Sequence, residues 1–569
     1  MSVAGNAPGG AAGDAAHDAA RGGAWGWGVP GGVPAGASDE AADGRGGVRP
    51  HWRAVLDVLG GLGPVALAER VRRLERAAAE VAAPRSDAPS NTPSDARSGA
   101  DGDGPAWRLD PVPLPLPAAE FAALEAGLVQ RARLLEALLA DVYGPQSVLA
   151  DGTLPPALVS ANPGFLRACR TDPAPSGPPG GPVLRSLAVD LVRGPDGAWR
   201  VLADLTGGAP GAGYAREGRR VLARVLPEAF RPVRPRRLGP FYAAWRRALG
   251  QAAPGPPAAP LAAPGRCGAA GAALLVPGGA DPHRADHLLL SRALGCPAVQ
   301  GRDLVVRSGG VFLRAGADAR PVRVLLRRVE GARTDPLEPA PDGRAGDEDA
   351  GSGDAGVAGL LVAARAGAVR VVNGPGAGLV EAPALAAFLP ALCRRLLGEA
   401  LRLPGPPTLW LADAEARERF GRQPARWCIR PALDPAAPAP ATAGAAERAA
   451  LDAGVAARPW AFVAVGRVPP SVAPAWDPAG GPVPRPVVLR AFLVHDGRGW
   501  TAMQGGLARL AEPGAPAGVL PGARLPDRVV AKDVWVLDRD AMDRDAMDRD
   551  AMDRDAMDRD AMDRDAGAT

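Results

Sequence analysis

The chain contains almost no lysine or isoleucine. Among its 569 residues, Lys532 and Ile429 are the single examples of each, and the other 65 basic residues are arginine. This skew indicates a GC-rich coding bias, so arginine abundance gives little support to nucleic-acid binding. The formal charge of +4 is also small for the length, which excludes a strongly basic, histone-like character.

Cysteines, aromatic residues and long apolar runs are also scarce. The five cysteines are scattered, with no CxxC spacing, which indicates reduced thiols in a cytoplasmic protein and argues against a disulfide framework or zinc site. Three tyrosines and nine phenylalanines are too few for a base-stacking platform, which argues against nucleic-acid binding. No run of roughly 18 apolar residues exists, and the start of the chain lacks the pattern of a secretory signal, so we expect no membrane contact.

Glycine and proline are abundant, at 74 and 63 residues, yet 47% of the chain is apolar. A globular body therefore coexists with segments that have little to bury. The composition predicts disorder over residues 1–48, a body over 49–537 and a disordered acidic tail over 538–569. Low-complexity inserts that we expect to form surface loops lie near 86–104, 340–358 and 432–452.

The tail consists of five copies of Asp-Arg-Asp-Ala-Met from Asp538 to Met562, with a partial sixth copy to Ala566. A calcium loop is disfavoured because the glycine turn and the final bidentate glutamate are missing. Twelve aspartates and six arginines give the tail a charge of −6, so the rest of the chain carries about +10.

Helical and strand patterns alternate along the body, which predicts an α/β (α+β) fold. An apolar stripe predicts a long helix over 117–143, and Gly60–Pro64 predicts a break between two earlier helices. Residues 184–193 and 198–205 are predicted to form a hairpin. Further helices are expected at 282–294 and 383–398.

Several segments together resemble the circularly permuted type 2 ATP-grasp proteins. They include GLVQRARLLEALLADVYGPQSVLADG from Gly127, VDLVRGPDGAWRVLADLTGGAPGAGYAREGRR from Val189, RPVVLRAFLVHDGRGWTAMQGGLARL from Arg485, and AKDVWVL from Ala531. The resemblance implies a circularly permuted ATP-grasp-like fold that uses ATP and magnesium to join a carboxylate to an amine through an acyl phosphate. Many longer relatives continue into a helical alpha-E domain. We therefore expect a truncated version of the family, with a protein that carries such a domain as a possible partner.

The hairpin bears on magnesium binding. The family pattern places an acid on the first strand and Glu-x-Asn on the second, where this chain has Asp190, then Ala203 and Leu205. If residues 194–197 form the loop, Asp190 lies opposite Val201, and alternation puts Asp204 on the other face. A single bulge would bring Asp204 to the metal face. Asp190 and Asp204 are thus the candidate metal ligands, and the alternative for Asp190 is a pairing with a neighbouring arginine.

The resemblance also implies a set of nucleotide-binding residues. Arg490 and Lys532 are the candidate catalytic residues. The candidate cofactor-binding residues that it implies are Arg430, Arg490, Gly505, Gly506, Arg509 and Lys532, and for Lys532 the alternative is a surface or paired lysine. Gly211 and Gly213 are further candidates because they lie in a glycine-rich loop whose backbone N–H groups can approach a phosphate, with a plain turn as the alternative. For the strand arginines the alternative is an ion pair with a carboxylate of the protein. Val465-Gly466 replaces a Gln-Glu pair that relatives tend to carry.

Three functions therefore remain open from the sequence. The first is an ATP-dependent carboxylate–amine, peptide-type ligase that acts on a small molecule or peptide. The second is a catalytically degenerate member that binds a nucleotide or a partner, and the third is a scaffold without nucleotide. Convergence of Asp190 and Asp204 would favour the ligase.

Overall fold

The computed structural model describes eleven stretches of the chain. These are residues 36–43, 47–82, 107–170, 184–252, 271–278, 281–315, 318–337, 356–435, 445–477, 481–511 and 529–538. The predicted insert at 86–104, most of the insert at 340–358, and the tail beyond Asp538 lie outside the described residues.

Twelve α-helices occur in these stretches. They are α1 (Pro50–Ala82), α2 (Ala118–Tyr143), α3 (Ser147–Ala150), α4 (Ala157–Ser160), α5 (Ala212–Val225), α6 (Pro227–Val233), α7 (Gly239–Ala252), α8 (Arg284–Leu294), α9 (Leu360–Arg365), α10 (Leu389–Leu397), α11 (Ala414–Arg422) and α12 (Ala445–Ala457). The predicted helix over 117–143 is α2, and its whole apolar stripe from Phe121 to Val142 is buried. The predicted helix at 282–294 is α8. The one at 383–398 is α10, preceded by a 3₁₀ turn at Pro383–Ala387.

A large mixed sheet forms the centre of the structure. The strands of its main path are β1 (Trp107–Leu109), β3 (Ser186–Arg193), β4 (Trp199–Leu205), β16 (Gly481–His495), β18 (Leu507–Leu510) and β19 (Val529–Val536). Their order across the sheet is β1-β19-β18-β16-β3-β4. Three more strands join it: β2 (Leu114–Leu116) beside β19, and β15 (Val472–Asp477) and β17 (Trp500–Ala502) beside β16. β4 is the last strand of the main path, so its outer edge faces the rest of the molecule.

Three smaller sheets complete the described strands. A parallel sheet contains β5 (Ala272–Leu275), β6 (Ala298–Val299), β10 (Val324–Arg327) and β11 (Arg370–Val372). An antiparallel meander contains β7 (Leu304–Arg307), β8 (Gly310–Ala315) and β9 (Asp318–Val322). A second antiparallel sheet, the small sheet, contains β12 (Thr408–Trp410), β13 (Trp427–Pro431) and β14 (Phe462–Gly466), with β14 in the middle.

The predicted hairpin is present as β3 and β4, but the predicted register was wrong by two residues. The loop is one residue longer than expected, so that Arg193 pairs with Trp199. A second shift lies between Asp190 and Leu191, because Leu202 bulges out of β4. Asp190 therefore lies opposite Ala203 and not Val201. Since two single-residue shifts preserve alternation, Asp204 stays on the opposite face from Asp190.

Two predictions about irregular segments need correction. Residues 36–43 and 47–48 were predicted to be disordered, yet Asp39 pairs with Val472, and Glu40 is buried against Arg193 at 2.9 Å. The second half of the predicted loop at 432–452 is helical, because α12 begins at Ala445. An Ala-rich run without proline favours helix in spite of its low complexity.

None of the described helices is long and apolar enough to cross a membrane. Charged residues interrupt even the two longest of them, α1 and α2.

The predicted break in α1 occurs at Gly63, whose φ of 70° and ψ of 164° are accessible almost only to glycine. We expect Gly63→Ala to lower the free energy of unfolding by about 1–3 kcal/mol. Gly61 has helical backbone angles and open space around its Cα, so Gly61→Ala should instead raise that free energy by up to about 1 kcal/mol. Urea titration of both variants measures these changes. Equal effects of the two substitutions would contradict the break.

Candidate functional site

A buried ion cluster lies at the middle of the large sheet. Asp190 on β3 is directly opposite Arg490 on β16, and its two carboxylate oxygens accept hydrogen bonds from Arg490 Nε at 2.7 Å and Nη2 at 2.8 Å. Arg509 on β18 donates from Nη2 to Asp190 Oδ2 at 2.6 Å. Asp190 and Arg490 are almost fully excluded from solvent. We call these three residues the Asp190 cluster.

The electrostatics of the cluster favour the charged form of Asp190. Burial alone would raise the pKa of Asp190, but the charges and hydrogen bonds of Arg490 and Arg509 hold it below its usual value. Burial lowers the pKa of Arg509 to about 10, although Asp190 opposes that change. The arginine is therefore charged at neutral pH, and the carboxylate is already occupied by three donors.

Asp204 forms a second, separate ion pair on the other face of the sheet. Arg131 of α2 donates from Nε and Nη2 to the two carboxylate oxygens of Asp204, at 2.6 and 2.7 Å. Arg131 also donates from Nη1 to the carbonyl of Leu403. Both side chains of the pair are buried. The sequence analysis did not single out Arg131, although its position on the same side of α2 as Leu128 and Leu135 indicates a buried arginine.

A cleft opens along β4, between the edge of the large sheet, residues 375–387 and the small sheet. Its enclosed part has a volume of about 50 Å³, and the rest of the cleft is open to solvent. Its charged lining consists of Arg131, Asp204, Glu381 and Arg430. Its apolar lining comes from Val201, Leu202, Ala203, Val380, Leu385, Leu389 and Val465. Cationic and apolar groups thus face the same space.

Burial shifts the pKa of two of the charged residues in the cleft. The pKa of Glu381 is raised by burial, against the lowering effect of hydrogen bonds from Thr206 and the backbone amide of Gly207. The pKa of Arg430 on β13 is lowered by burial, which Cys428 and Asp434 oppose. Glu381 was not among the sequence candidates, because an isolated glutamate in an Ala/Pro-rich segment gives no signal of its surroundings.

Lys532 lies away from the Asp190 cluster. It pairs with Ala508, whose neighbour Leu507 is opposite Arg490, so alternation puts the side chains of Lys532 and Arg490 on opposite faces. Its Nζ donates to the carbonyl of Val112 at 2.7 Å and lies 3.2 Å from Asp110 Oδ1, fully buried. Burial lowers the pKa of Lys532, and Asp110 opposes this.

The candidate glycines border the face of the large sheet that carries Asp190, and each has close neighbours. A Cβ on Gly211, at φ +120°, would lie 2.9 Å from Leu507 Cδ2, and one on Gly213 would lie 2.4 Å from the carbonyl of Asp286. Asp286 also accepts a hydrogen bond from the Tyr214 amide in the first turn of α5. Gly505 and Gly506 approach the backbones of β19 and β16 in the same way. Packing therefore accounts for these glycines, and phosphate contact by them stays a prediction.

Of the predicted site residues, the structure brings together Asp190, Arg490 and Arg509, with Gly211 and Gly506 beside them. It places Asp204 and Arg430 at the cleft, and Lys532 against Asp110. The roles of these residues in catalysis or binding stay predictions.

Comparison with known proteins identifies the family. The sequence model for circularly permuted ATP-grasp type 2 matches residues 113–511. The chain belongs to this family. The resemblance predicted from the sequence is thereby confirmed, as is the mixed helix-and-sheet ATP-grasp-like fold class.

Two relatives are about one-third identical to the chain over the aligned residues. An uncharacterised Mycobacterium tuberculosis protein is 36% identical over 504 residues, which cover 88% of this chain and 53% of that protein. A Frankia alni protein with the printed name "Putative glutamate--cysteine ligase 2-3" is 36% identical over 382 residues, which cover 67% of this chain and 40% of that protein. The chain therefore spans about half the length of the first of these relatives.

Two further matches cover most of the matched protein. Another Mycobacterium tuberculosis protein is 31% identical over 443 residues, covering 75% of this chain and 73% of that protein. Among solved structures, a glutathione synthetase-like effector from Globodera pallida in its apo form has a TM-score of 0.45 and 14% identity, covering 75% of this chain and 89% of that one.

ATP-grasp ligases use magnesium together with ATP. In the described part of this chain, the candidate ligand positions do not fit a magnesium ion. The carboxylates of Asp190 and Asp204 lie on opposite faces, and each already accepts at least two hydrogen bonds from arginine. Alanine and leucine hold the other two ligand positions of the family. Within the described ranges, no group of three or more His, Cys, Asp or Glu side chains is arranged to hold a metal ion. Mg²⁺ requires several hard oxygen ligands in one place.

We expect the Asp190 cluster to make the free energy of unfolding depend on pH. Because the pKa of Asp190 is lower in the folded than in the unfolded chain, its contribution is complete at neutral pH and is lost as pH falls below about 4. Asp190→Asn leaves two buried arginines without their carboxylate and should cost about 3–5 kcal/mol at pH 7. The difference from the wild type should narrow in urea titrations below pH 4. A difference that does not change with pH would contradict the depressed pKa.

We also expect Lys532 to act in stability. Lys532→Met leaves the buried carboxylate of Asp110 without a cation and should lower the free energy of unfolding by about 3–5 kcal/mol, as measured by urea titration. Lys532→Met combined with Asp110→Asn should be less destabilising than Lys532→Met alone, because no charge is then left unpaired. Wild-type stability of the single variant would contradict this role and favour the predicted phosphate contact.

Proposed function

We propose that the chain is a nucleotide-binding member of the ATP-grasp family that holds ATP in the cleft beside β4 without a magnesium centre and without carrying out ligation itself. One observation carries the proposal. Arginine side chains take up both candidate metal carboxylates, on opposite faces of the sheet, and the remaining ligand positions are Ala203 and Leu205. The proposal has two parts, nucleotide binding and the loss of ligation, and each part has its own support.

Nucleotide binding is supported by the composition of the cleft. Ligand sites of nucleotide size are usually concave, largely apolar and provided with a few polar groups. Leu385, Leu389 and Val465 supply apolar surface that suits a base, while Arg430 supplies positive charge that suits a polyphosphate. Asp204 and Glu381 limit the excess of positive charge when no ligand is bound.

The charges around Asp190 support the loss of ligation. Transfer of a phosphoryl group from ATP to a carboxylate brings two anions together, and metal ions normally neutralise the charge that develops. In this chain the cationic partners of Asp190 are covalently fixed side chains on β16 and β18. They stabilise the carboxylate itself and occupy most of its lone pairs, so a metal ion would have to displace them.

The second candidate is the ATP-dependent carboxylate–amine ligase acting through an acyl phosphate on a small molecule or peptide. The name of the Frankia alni relative favours it, as do the family positions retained at Arg490, Gly505–Gly506 and Arg509. In this case the missing ligands would have to come from elsewhere, and a partner protein with a helical alpha-E domain is the candidate supplier that the longer relatives suggest.

Isothermal titration of the chain with ATP separates these functions. We expect heat of binding that is the same within a factor of two with magnesium or with EDTA. Phosphate release with pooled amino acids and peptides should stay at the rate without protein. Arg430→Ala should weaken binding at least fivefold, whereas Arg426→Ala, in an exposed position just before β13, should not change it.

The outcomes are distinct. Binding that needs magnesium, accompanied by phosphate release, would overturn the proposal in favour of the ligase. No heat with ATP under either condition would exclude both nucleotide functions and leave the scaffold. Melting temperatures of the two arginine variants show whether a loss of binding reflects a loss of folding.

A further inference from the structure

A basic groove lies on the outside of the molecule, apart from the cleft beside β4. It runs between the end of α1, one side of α5 and the end of α8, and encloses about 730 Å³ measured out to solvent. Its lining residues are Ala77, Glu80, Val81, Arg216, Glu217, Arg220, Arg224, Leu289 and Arg292. Four arginines against two glutamates give the lining a net positive charge. We call it the arginine groove.

Most of this positive charge is not neutralised by the described part of the chain. Arg220 forms an ion pair with Glu217 at 2.9 Å. Among the described residues, no carboxylate lies within ion-pair distance of Arg216, Arg224 or Arg292. The guanidinium carbon of Arg216 lies 5.6 Å from the centre of the Tyr242 ring, an uncharged partner that does not neutralise the positive charge. Arg224 and Arg292 are exposed.

The spacing of the arginines is regular. Arg216, Arg220 and Arg224 are four residues apart on α5, so they line one side of the helix at steps of about 6 Å. In an extended chain, side chains two residues apart lie on one side at steps of about 6.6 Å. Two aspartates two residues apart therefore match two neighbouring arginines of the row.

The chain itself contains such pairs of aspartates. Each Asp-Arg-Asp-Ala-Met repeat has two aspartates two residues apart, and the repeats from Asp538 onwards carry a net charge of −6. Thirty-one residues follow Asp538, enough to span about 100 Å when extended. A globular body of about 400 residues has a radius of gyration of roughly 21 Å, so the tail is long enough to reach the groove.

We propose that the arginine groove binds the acidic repeat tail of the same chain, with Asp-x-Asp pairs of the tail set against Arg216, Arg220, Arg224 and Arg292. The partner is thus an acidic peptide segment, held mainly by charge. Binding of this kind weakens as salt screens the charges.

A labelled peptide with three repeats of Asp-Arg-Asp-Ala-Met tests this proposal by fluorescence anisotropy. The receptor is a full-length chain in which the twelve tail aspartates are replaced by asparagine and the six tail arginines by glutamine, so that its own tail is uncharged and no longer competes. We expect this receptor to bind the peptide at least tenfold more tightly than the wild-type chain does. Raising the salt from 20 to 500 mM should weaken binding at least tenfold.

Matched variants of the receptor locate the binding surface. Arg216→Ser, Arg224→Ser and Arg292→Ser together should reduce binding at least tenfold. The control triple Arg307→Ser, Arg365→Ser and Arg419→Ser removes the same charge at exposed positions elsewhere and should reduce it less than twofold. Light scattering should show a monomer for the wild type, since the tail binds within its own chain.

Each other result overturns the proposal. If the neutral-tail receptor does not bind the peptide, or if the wild type binds it equally well, the tail does not occupy the groove. Equal loss of binding in the two triple variants would mean that net charge alone attracts the peptide. A tail-dependent dimer would assign the groove to the tail of a second copy.

Discussion

The cluster of Asp190, Arg490 and Arg509 is the constraint on which the centre of the structure depends. Its members come from three strands that are adjacent in the sheet but far apart in sequence, so the cluster fixes β3, β16 and β18 relative to one another. A buried carboxylate is tolerated here because two cations and three hydrogen bonds compensate its charge, whereas loss of one partner leaves part of that charge uncompensated. The register of this part of the sheet is therefore tied to the pairing of charges as well as to apolar packing.

The same cluster explains why the cleft beside β4, the proposed nucleotide site, lies apart from the core of the large sheet. Asp190 faces one side of the sheet and is closed off by arginine, while Asp204 faces the other side and borders the cleft with Arg131. A metal centre would need both carboxylates on one side. The bulge at Leu202 by itself would have turned Asp204 over, but the longer hairpin loop adds a second single-residue shift that restores the original alternation.

Much of the fold could be predicted from the sequence, because it depends on patterns that are local. The stripe of α2, the break at Gly63 and the alternation in β3 and β4 all follow from spacing within one segment. The site was less accessible, because its partners are distant in sequence. Asp190 pairs with a residue 300 positions away, and nothing near Asp204 in sequence points to Arg131. Arginine pairing was available as an alternative for Asp190, but only the strand order could select it.

Lys532 shows the limit of arguing from a motif. A single lysine in a chain with 65 arginines, within a segment that resembles the family, suggests a specialised contact with phosphate. In the structure, packing and not phosphate contact explains why this position is a lysine and not an arginine. The ammonium group lies fully buried between the Val112 carbonyl and Asp110, and a guanidinium would bring two more nitrogen atoms into that space. A small cation is needed there by packing, so the retention of lysine against the composition of the chain is accounted for by the ion pair beneath the sheet.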